Sequence, residues 1–189
     1  ARKGDWTAFL GEYAKPGTAD TELACFASQA RMQRGESGVL TQARPLWFTA
    51  QVLPESCLPI FKTMFDKQIL TPEDSWSRVR LALESGNLAS AKTLLMYLPV
   101  GERPDARVLE SISKRPQRYL DKSPVPLKTR GQRELAVYAL YRMAESWPEI
   151  GKLLQAVRTD APPRYPLLCQ EDEEEVERLF QRLKSVGHL

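Results

Sequence analysis

The sequence predicts an all-α fold, a superhelical stack of antiparallel helix hairpins of α-solenoid type, and three observations carry that prediction. Residues 71–99, TPEDSWSRVRLALESGNLASAKTLLMYLP, read as two amphipathic helices around a Gly-Asn turn. Helix-ending signals recur at Gly35, Gly86 and Pro99. Strand signals are weak: β-branched residues are sparse, and no Asn-Gly or Asp-Gly turn joins alternating segments. A faint repeat adds to this, since GDW at Trp6, DSW at Trp76 and ESW at Trp147 lie about two hairpins apart.

Taken in order, predicted helices cover 5–14, 18–34, 38–51 and 54–68, followed by the hairpin. Within the hairpin, Thr71 and Asp74 have capping-box spacing, and Pro72 suits the first helical position. Trp76, Val79 and Leu83 then make one apolar stripe, giving a helix over 72–85. Gly86 supplies the left-handed closure and Asn87 the next cap. Leu88, Ala91, Leu95 and Leu98 make the second stripe before Pro99 stops it. Two such helices cannot bury both stripes alone, so the hairpin implies neighbours of its own kind. Further helices are predicted over 104–113, 115–121, 130–146, 147–157 and 171–186. KSPVPLK (122–128) and DAPPRYP (160–166) read as extended connectors. The expected organisation is a hairpin superhelix over 1–158, with a Pro-rich connector and an amphipathic helix over 159–189 packed on the same domain.

Composition is that of an ordinary globular chain, 42% hydrophobic and 27% charged. The 27 Lys and Arg are interleaved with 24 Asp and Glu, so a net charge of +3 implies a mixed field rather than one nucleic-acid-binding face. The densest basic window, 102–134, holds nine basic residues against five acids with Tyr119 as its sole aromatic. Solvated helix faces account for it more simply than nucleic acid does. No apolar run approaches the roughly 20 residues of a membrane span. ARKGDW lacks an initiating methionine and a hydrophobic signal core, as a processed or excised chain would. The single histidine, His188, sits next to last, where a terminal position argues against a catalytic or metal role. There is no Cys-x-x-Cys, His-Glu-x-x-His, Gly-x-Gly-x-x-Gly or Walker-type loop, and no cofactor or metal is expected. On helices, lone cysteines such as Cys25 and Cys57 are most often buried thiols.

Two stretches carry a resemblance to a known family. DWTAFLGEYAKPGTADTELACFASQARMQRGE (5–36) and SCLPIFKTMFDKQILTPEDSWSRVRLALESGNLASAKTLLMYLP (56–99) resemble the helical superhelix that precedes the catalytic domain in bacterial soluble lytic transglycosylases. The shared order of features is a Lys-Pro-Gly turn at 15–17, a cysteine in the next helix and PLW at 45–47. A second cysteine opening a helix, a Trp-x-Arg and the Gly-Asn hairpin follow. The resemblance implies a scaffold that positions a lysozyme-like domain on peptidoglycan in the periplasm, with peptidoglycan and that domain as partners. The full family enzyme cleaves the MurNAc–GlcNAc bond non-hydrolytically, forming a 1,6-anhydro ring without a metal. Its catalytic Glu-Ser pair has Gly-Leu-Met-Gln and Ala-Tyr-Asn-Ala-Gly companions. None of the pairs here, at Glu36, Glu55, Glu84, Glu110 and Glu145, is followed by them, so this chain is expected to scaffold and not to cleave. The resemblance also implies that Cys25 and Cys57 pair as a disulfide, consistent with an oxidising compartment, and leaves Cys169 over.

The alternative reading is a helical-repeat protein-interaction module, natural or engineered, acting through its C-terminal segment. Leu167, Cys169 and Glu171 fit the Leu-x-Cys-x-Glu pattern of ligands that dock on retinoblastoma-type pockets. Three fixed positions arise easily in unrelated chains. The same segment reads well as a closing helix: Glu173 to Glu175 precede Arg178, Arg182 and Lys184 in the order that suits the helix dipole. Val176, Leu179, Phe180, Leu183 and Val186 give it a packing stripe.

Overall fold

The structure, a computed structural model, describes residues 20–123, 127–144 and 181. Its regular structure is all helical: eight α-helices, three 3₁₀ turns and no strand among the described residues. It divides into two units, one ending at Tyr97 and the other beginning at Leu98.

In the first unit, α1 (Thr21–Gln33) is capped by Asp20, whose side chain accepts from the Glu22 N–H at 3.3 Å. It buries Cys25, Ala27 and Ala30. Gly35, at φ +72°, turns the chain out, with Gly35 N–H donating to Met32 O and Glu36 N–H to Arg31 O, both at 3.1 Å. A short α2 (Val39–Ala43) passes into a 3₁₀ turn over Arg44–Trp47, and residues 48–51 are not helical. The continuous helix predicted over 38–51 is therefore corrected. Pro45 has no N–H to give and its ring crowds the preceding turn, so regular α-helix stops just before it.

The predicted 54–68 helix forms in shorter compass: a 3₁₀ turn over Glu55–Cys57, then α3 (Leu58–Asp66). Pro54 is extended, and Pro59 lies in the first helical turn, where a missing N–H costs nothing. Gln68, at φ +56°, closes α3, with Gln68 N–H on Phe65 O at 3.0 Å and Ile69 N–H on Met64 O at 2.8 Å. Then comes the hairpin, α4 (Pro72–Glu84) and α5 (Leu88–Leu94). Thr71 and Asp74 form the capping box, and Gly86 at φ +72° makes the turn. Asn87 both completes that closure, donating to Ala82 O at 2.8 Å, and caps α5 by accepting from Ser90 N–H at 3.1 Å. The last turn, Leu95–Tyr97, tightens to 3₁₀ before Leu98, which precedes Pro99 and so disfavours the α conformation. Helix α1 packs against both α2 and α3, and α4 packs against α5.

The second unit contains α6 (Ala106–Lys114), α7 (Pro116–Lys122) and α8 (Arg130–Ala144). Arg115 alone separates α6 from α7, and Pro116 opens the latter. Thr129 Oγ1 accepts from Gln132 N–H at 3.2 Å while Gln132 Oε1 accepts from Thr129 N–H at 3.1 Å, a second reciprocal cap. Leu109, Ile112, Leu120, Ala136, Ala139 and Leu140 form the core. Gly131 is a close approach: a Cβ there would meet Glu102 O at 2.5 Å. The helices predicted over 5–14 and 147–157, all but one residue of that over 171–186, and the 160–166 connector lie outside the described residues, as does the proposed division at 158.

Candidate functional site

The densest polar and aromatic arrangement in the first unit is centred on Trp47. The 3₁₀ turn carries its side chain wholly into the interior. There the indole meets Phe61, Phe65 and Tyr97 edge-on at centroid distances of 5.1, 5.2 and 5.1 Å. Its Nε1–H donates to Asp74 O at 2.9 Å. The Asp74 carboxylate takes the Thr71 N–H at 2.9 Å through Oδ2 and pairs with Arg44 through Oδ1. One helical turn on, the Arg78 guanidinium lies 4.4 Å from the Trp47 ring centroid, a cation–π contact.

Arg78 also holds the non-helical strap over 48–51. Its Nε donates to Thr49 O at 3.3 Å and its Nη2 to Gln51 O at 3.2 Å, while Asn87 Nδ2 donates to Ala50 O at 3.1 Å. Three successive strap carbonyls that no helix satisfies thus find donors on the hairpin. Arg78 is 4% exposed and enters no ion pair among the described residues. Burial lowers its pKa to about 10, with Tyr97 opposing the shift, so the side chain is cationic at neutral pH. Its position was readable in principle, since an arginine one residue from Val79 on the stripe Trp76–Val79–Leu83 has an apolar face to enter, but its strap carbonyls are 27 and 29 residues away in sequence.

Cys25 on α1 and Cys57 in the 3₁₀ turn before α3 are bonded, with Cα atoms 5.0 Å apart, and both are fully buried. Gln29 Nε2 donates to Ser56 O beside the bond, a second tie between the same two elements.

In the second unit a cleft of about 550 Å³ lies between α7 and the end of α8, lined by Arg115, Gln117, Arg118, Asp121, Arg142 and Met143. Five of the nine basic residues of the 102–134 window fall into two groups. Arg103 donates to Leu98 O at 3.0 Å, Arg133 to Leu127 O at 3.4 Å, and Arg130 pairs with Glu134 at 3.6 Å. Arg115 and Arg118 are exposed and enter no ion pair among the described residues, as solvated charges do. Tyr119 is raised above the ordinary phenol pKa by burial, against the hydrogen bond to Ser123.

No group of three His, Cys, Asp or Glu among the described residues is placed to hold a metal ion. Leu167, Cys169, Glu171 and His188 lie outside the described residues, as do Val176, Leu179, Phe180, Leu183 and Val186. Among the described residues no helix is long and apolar enough to cross a membrane.

These features define a class: an all-helical array of short capped hairpins, tied by a disulfide and by side chains that satisfy a helix-free strap. No family model matches the chain. It is 28% identical over 156 residues to the soluble lytic murein transglycosylase of Escherichia coli K12 and 26% identical to that of Salmonella typhimurium. Each match covers 82% of this chain, which spans only 24% of the length of these relatives. The chain is homologous to that part of the soluble lytic murein transglycosylases. Among solved structures, the 70-kDa soluble lytic transglycosylase of E. coli is similar with a TM-score of 0.57 at 21% identity, over 93% of this chain and 28% of that one. An inactive mutant of the Pseudomonas aeruginosa lytic transglycosylase is similar with a TM-score of 0.63 at 24% identity, over 92% and 27%. These likenesses place the fold with the helical parts of those proteins.

Proposed function

We propose that this chain is the non-catalytic helical scaffold of a periplasmic cell-wall lytic transglycosylase, the part that positions a separate catalytic domain on peptidoglycan. The observation that carries this reading is the unequal coverage: 82% of the chain aligns with 24% of the E. coli enzyme, and the described residues fold as short helices. The buried Cys25–Cys57 bond supports an oxidising compartment. Three of the described acids support a structural role: Asp74 pairs with Arg44, Glu73 with Arg80, and Glu134 with Arg130. General acid catalysis at a glycosidic oxygen instead needs a carboxyl of raised pKa in a groove.

The test is incubation of the chain with purified sacculi. No 1,6-anhydro muropeptides are expected from the chain alone. Their release, abolished by replacing a single Glu, would overturn the reading. Sedimentation with sacculi against an unrelated acidic polymer tests whether the scaffold contacts peptidoglycan itself. The second reading, a protein-interaction module, rests on Val52, Leu58 and Met96, apolar side chains 66, 48 and 63% exposed on the first unit.

A further inference from the structure

Arg78 is a buried cation whose charge the first unit does not neutralise. Asp74, one helical turn before it, is committed to Arg44 and to the Thr71 cap. An arginine has five N–H donors. Only its Nε and one Nη2 donor are engaged by the strap carbonyls. Arg78 lines a crevice of about 70 Å³ together with the buried Ser90, the half-buried Tyr97 and the exposed Thr93. Leu53 and the buried Phe61 and Leu94 line it too, and the largely exposed Val52 and Leu58 stand at its rim, so one guanidinium and a few hydroxyls are set in an otherwise apolar crevice.

Size and polarity together select the occupant. A water's share of liquid volume is about 30 Å³, so the crevice encloses about two to three non-hydrogen atoms. That is a carboxylate group, with the carbons attached to it at the open mouth. A buried guanidinium favours a planar, bidentate anion over a point charge, and the hydroxyls of Ser90 and Tyr97 supply further donors. The rim would cover the short aliphatic part, which water otherwise surrounds.

We propose that this crevice binds a carboxylate borne on a short aliphatic group, with Arg78 as the anion-binding residue, Ser90 and Tyr97 as flanking donors, and Val52 and Leu58 over the aliphatic carbons. Two sources share that chemistry, the C-terminal alanine of a peptide and a free short-chain acid. The inference goes beyond the scaffold reading and does not depend on it, because the site is built wholly from residues of the first unit.

The experiment follows the Arg78 Nε–H and the backbone amides of 90–97 by NMR while the chain is titrated at low ionic strength. The probes are N-acetylalanine, propionate and N-acetylalaninamide. Saturable shifts at Arg78 are expected with both acids, and binding at least about tenfold weaker with the uncharged amide. N-acetylalanine binding more tightly than propionate identifies a peptide end as the preferred source, and equal binding identifies a short-chain acid. Because replacing Arg78 would also release the strap, the variant is Val52→Glu, which sets a negative charge at the exposed rim. It should weaken the acids by about tenfold with an unchanged thermal melt, whereas Val52→Gln, which loses only apolar cover and adds no charge, should weaken them clearly less. Equal binding of acid and amide, acid-induced shifts that spare Arg78, or undiminished binding to Val52→Glu would overturn the assignment. None of these outcomes bears on muropeptide release, so the two readings fail separately.

Discussion

Replacing Trp47 by Phe tests whether the indole is the keystone of the first unit. The substitution keeps an aromatic ring against Phe61, Phe65 and Tyr97 but removes the pyrrole edge and its N–H, which donates to Asp74 O at 2.9 Å. Roughly 40 Å³ is vacated in a fully buried site, and at about 24 cal/mol per Å³ the residual cavity costs about 1 kcal/mol. Asp74 O keeps its helical donor in α4, so loss of the indole bond costs about 1 kcal/mol rather than the larger penalty of an orphaned carbonyl. Loss of part of the surface facing Arg78 adds about 0.5 kcal/mol. The expected destabilisation is therefore about 2–3 kcal/mol, against about 3–5 kcal/mol or more for Trp47→Ala. Urea titrations followed by far-ultraviolet circular dichroism measure both. A double-mutant cycle with Arg78→Met should give a coupling of at least about 0.5 kcal/mol. A Trp47→Phe protein within about 0.5 kcal/mol of wild type, or strict additivity in the cycle, would refute the reasoning.

Reduction of the Cys25–Cys57 bond, which spans 32 residues, should cost about 3–4 kcal/mol in the chain-entropy account; melts with and without reductant read this directly, and an unchanged midpoint would contradict it. Asn87→Ala removes both the α5 cap and the donor to Ala50 O, and should cost about 2 kcal/mol, visible as a shifted urea midpoint; Asn87→Asp should recover the cap portion alone. Gly131→Ala should destabilise the second unit by about 1–3 kcal/mol, because the new Cβ would stand 2.5 Å from the backbone oxygen of Glu102, and hydrogen exchange in α8 should rise accordingly.

How much of the fold could be read in advance differs from element to element. The hairpin was legible almost to the residue: the Thr71–Asp74 box, the Gly86 turn and the Asn87 cap all act within five positions, and neighbouring letters record them. The same closure after α3 was obscured because Gln68 occupies the left-handed position that Gly35 and Gly86 fill elsewhere. A side chain there costs roughly 1–2 kcal/mol locally, so tertiary packing rather than propensity sets that turn. The predicted helix over 38–51 failed at a residue that was in plain view. Pro45 has no N–H to give the helix, and that local fact ends the regular α-helix at Ala43. Of the candidate site residues, the local pattern around Cys25 and Cys57 left a pair of buried thiols open. Only the family resemblance implied the bond that the structure contains.

By itself the sequence determined the helical class, most helix positions and their caps, and a charge balance without one dominant face. Those properties follow from propensities, hydrogen bonds and spacings closed within a turn or two of chain. Only the tertiary structure decided what happens at Trp47, Arg78 and the 48–51 strap. The strap carbonyls could have been solvated, paired in a helix or capped by any donor that folding brought near. Selection of Arg78 and Asn87 depends on how α4 and α5 pack in three dimensions, because their partners lie 27 to 37 residues away. The same packing surrounds a cation with aromatic rings and carbonyls instead of a carboxylate, and sets it at the floor of an amphipathic crevice. No local pattern of letters encodes a charge left uncompensated by its surroundings, because compensation is a property of the assembled neighbourhood.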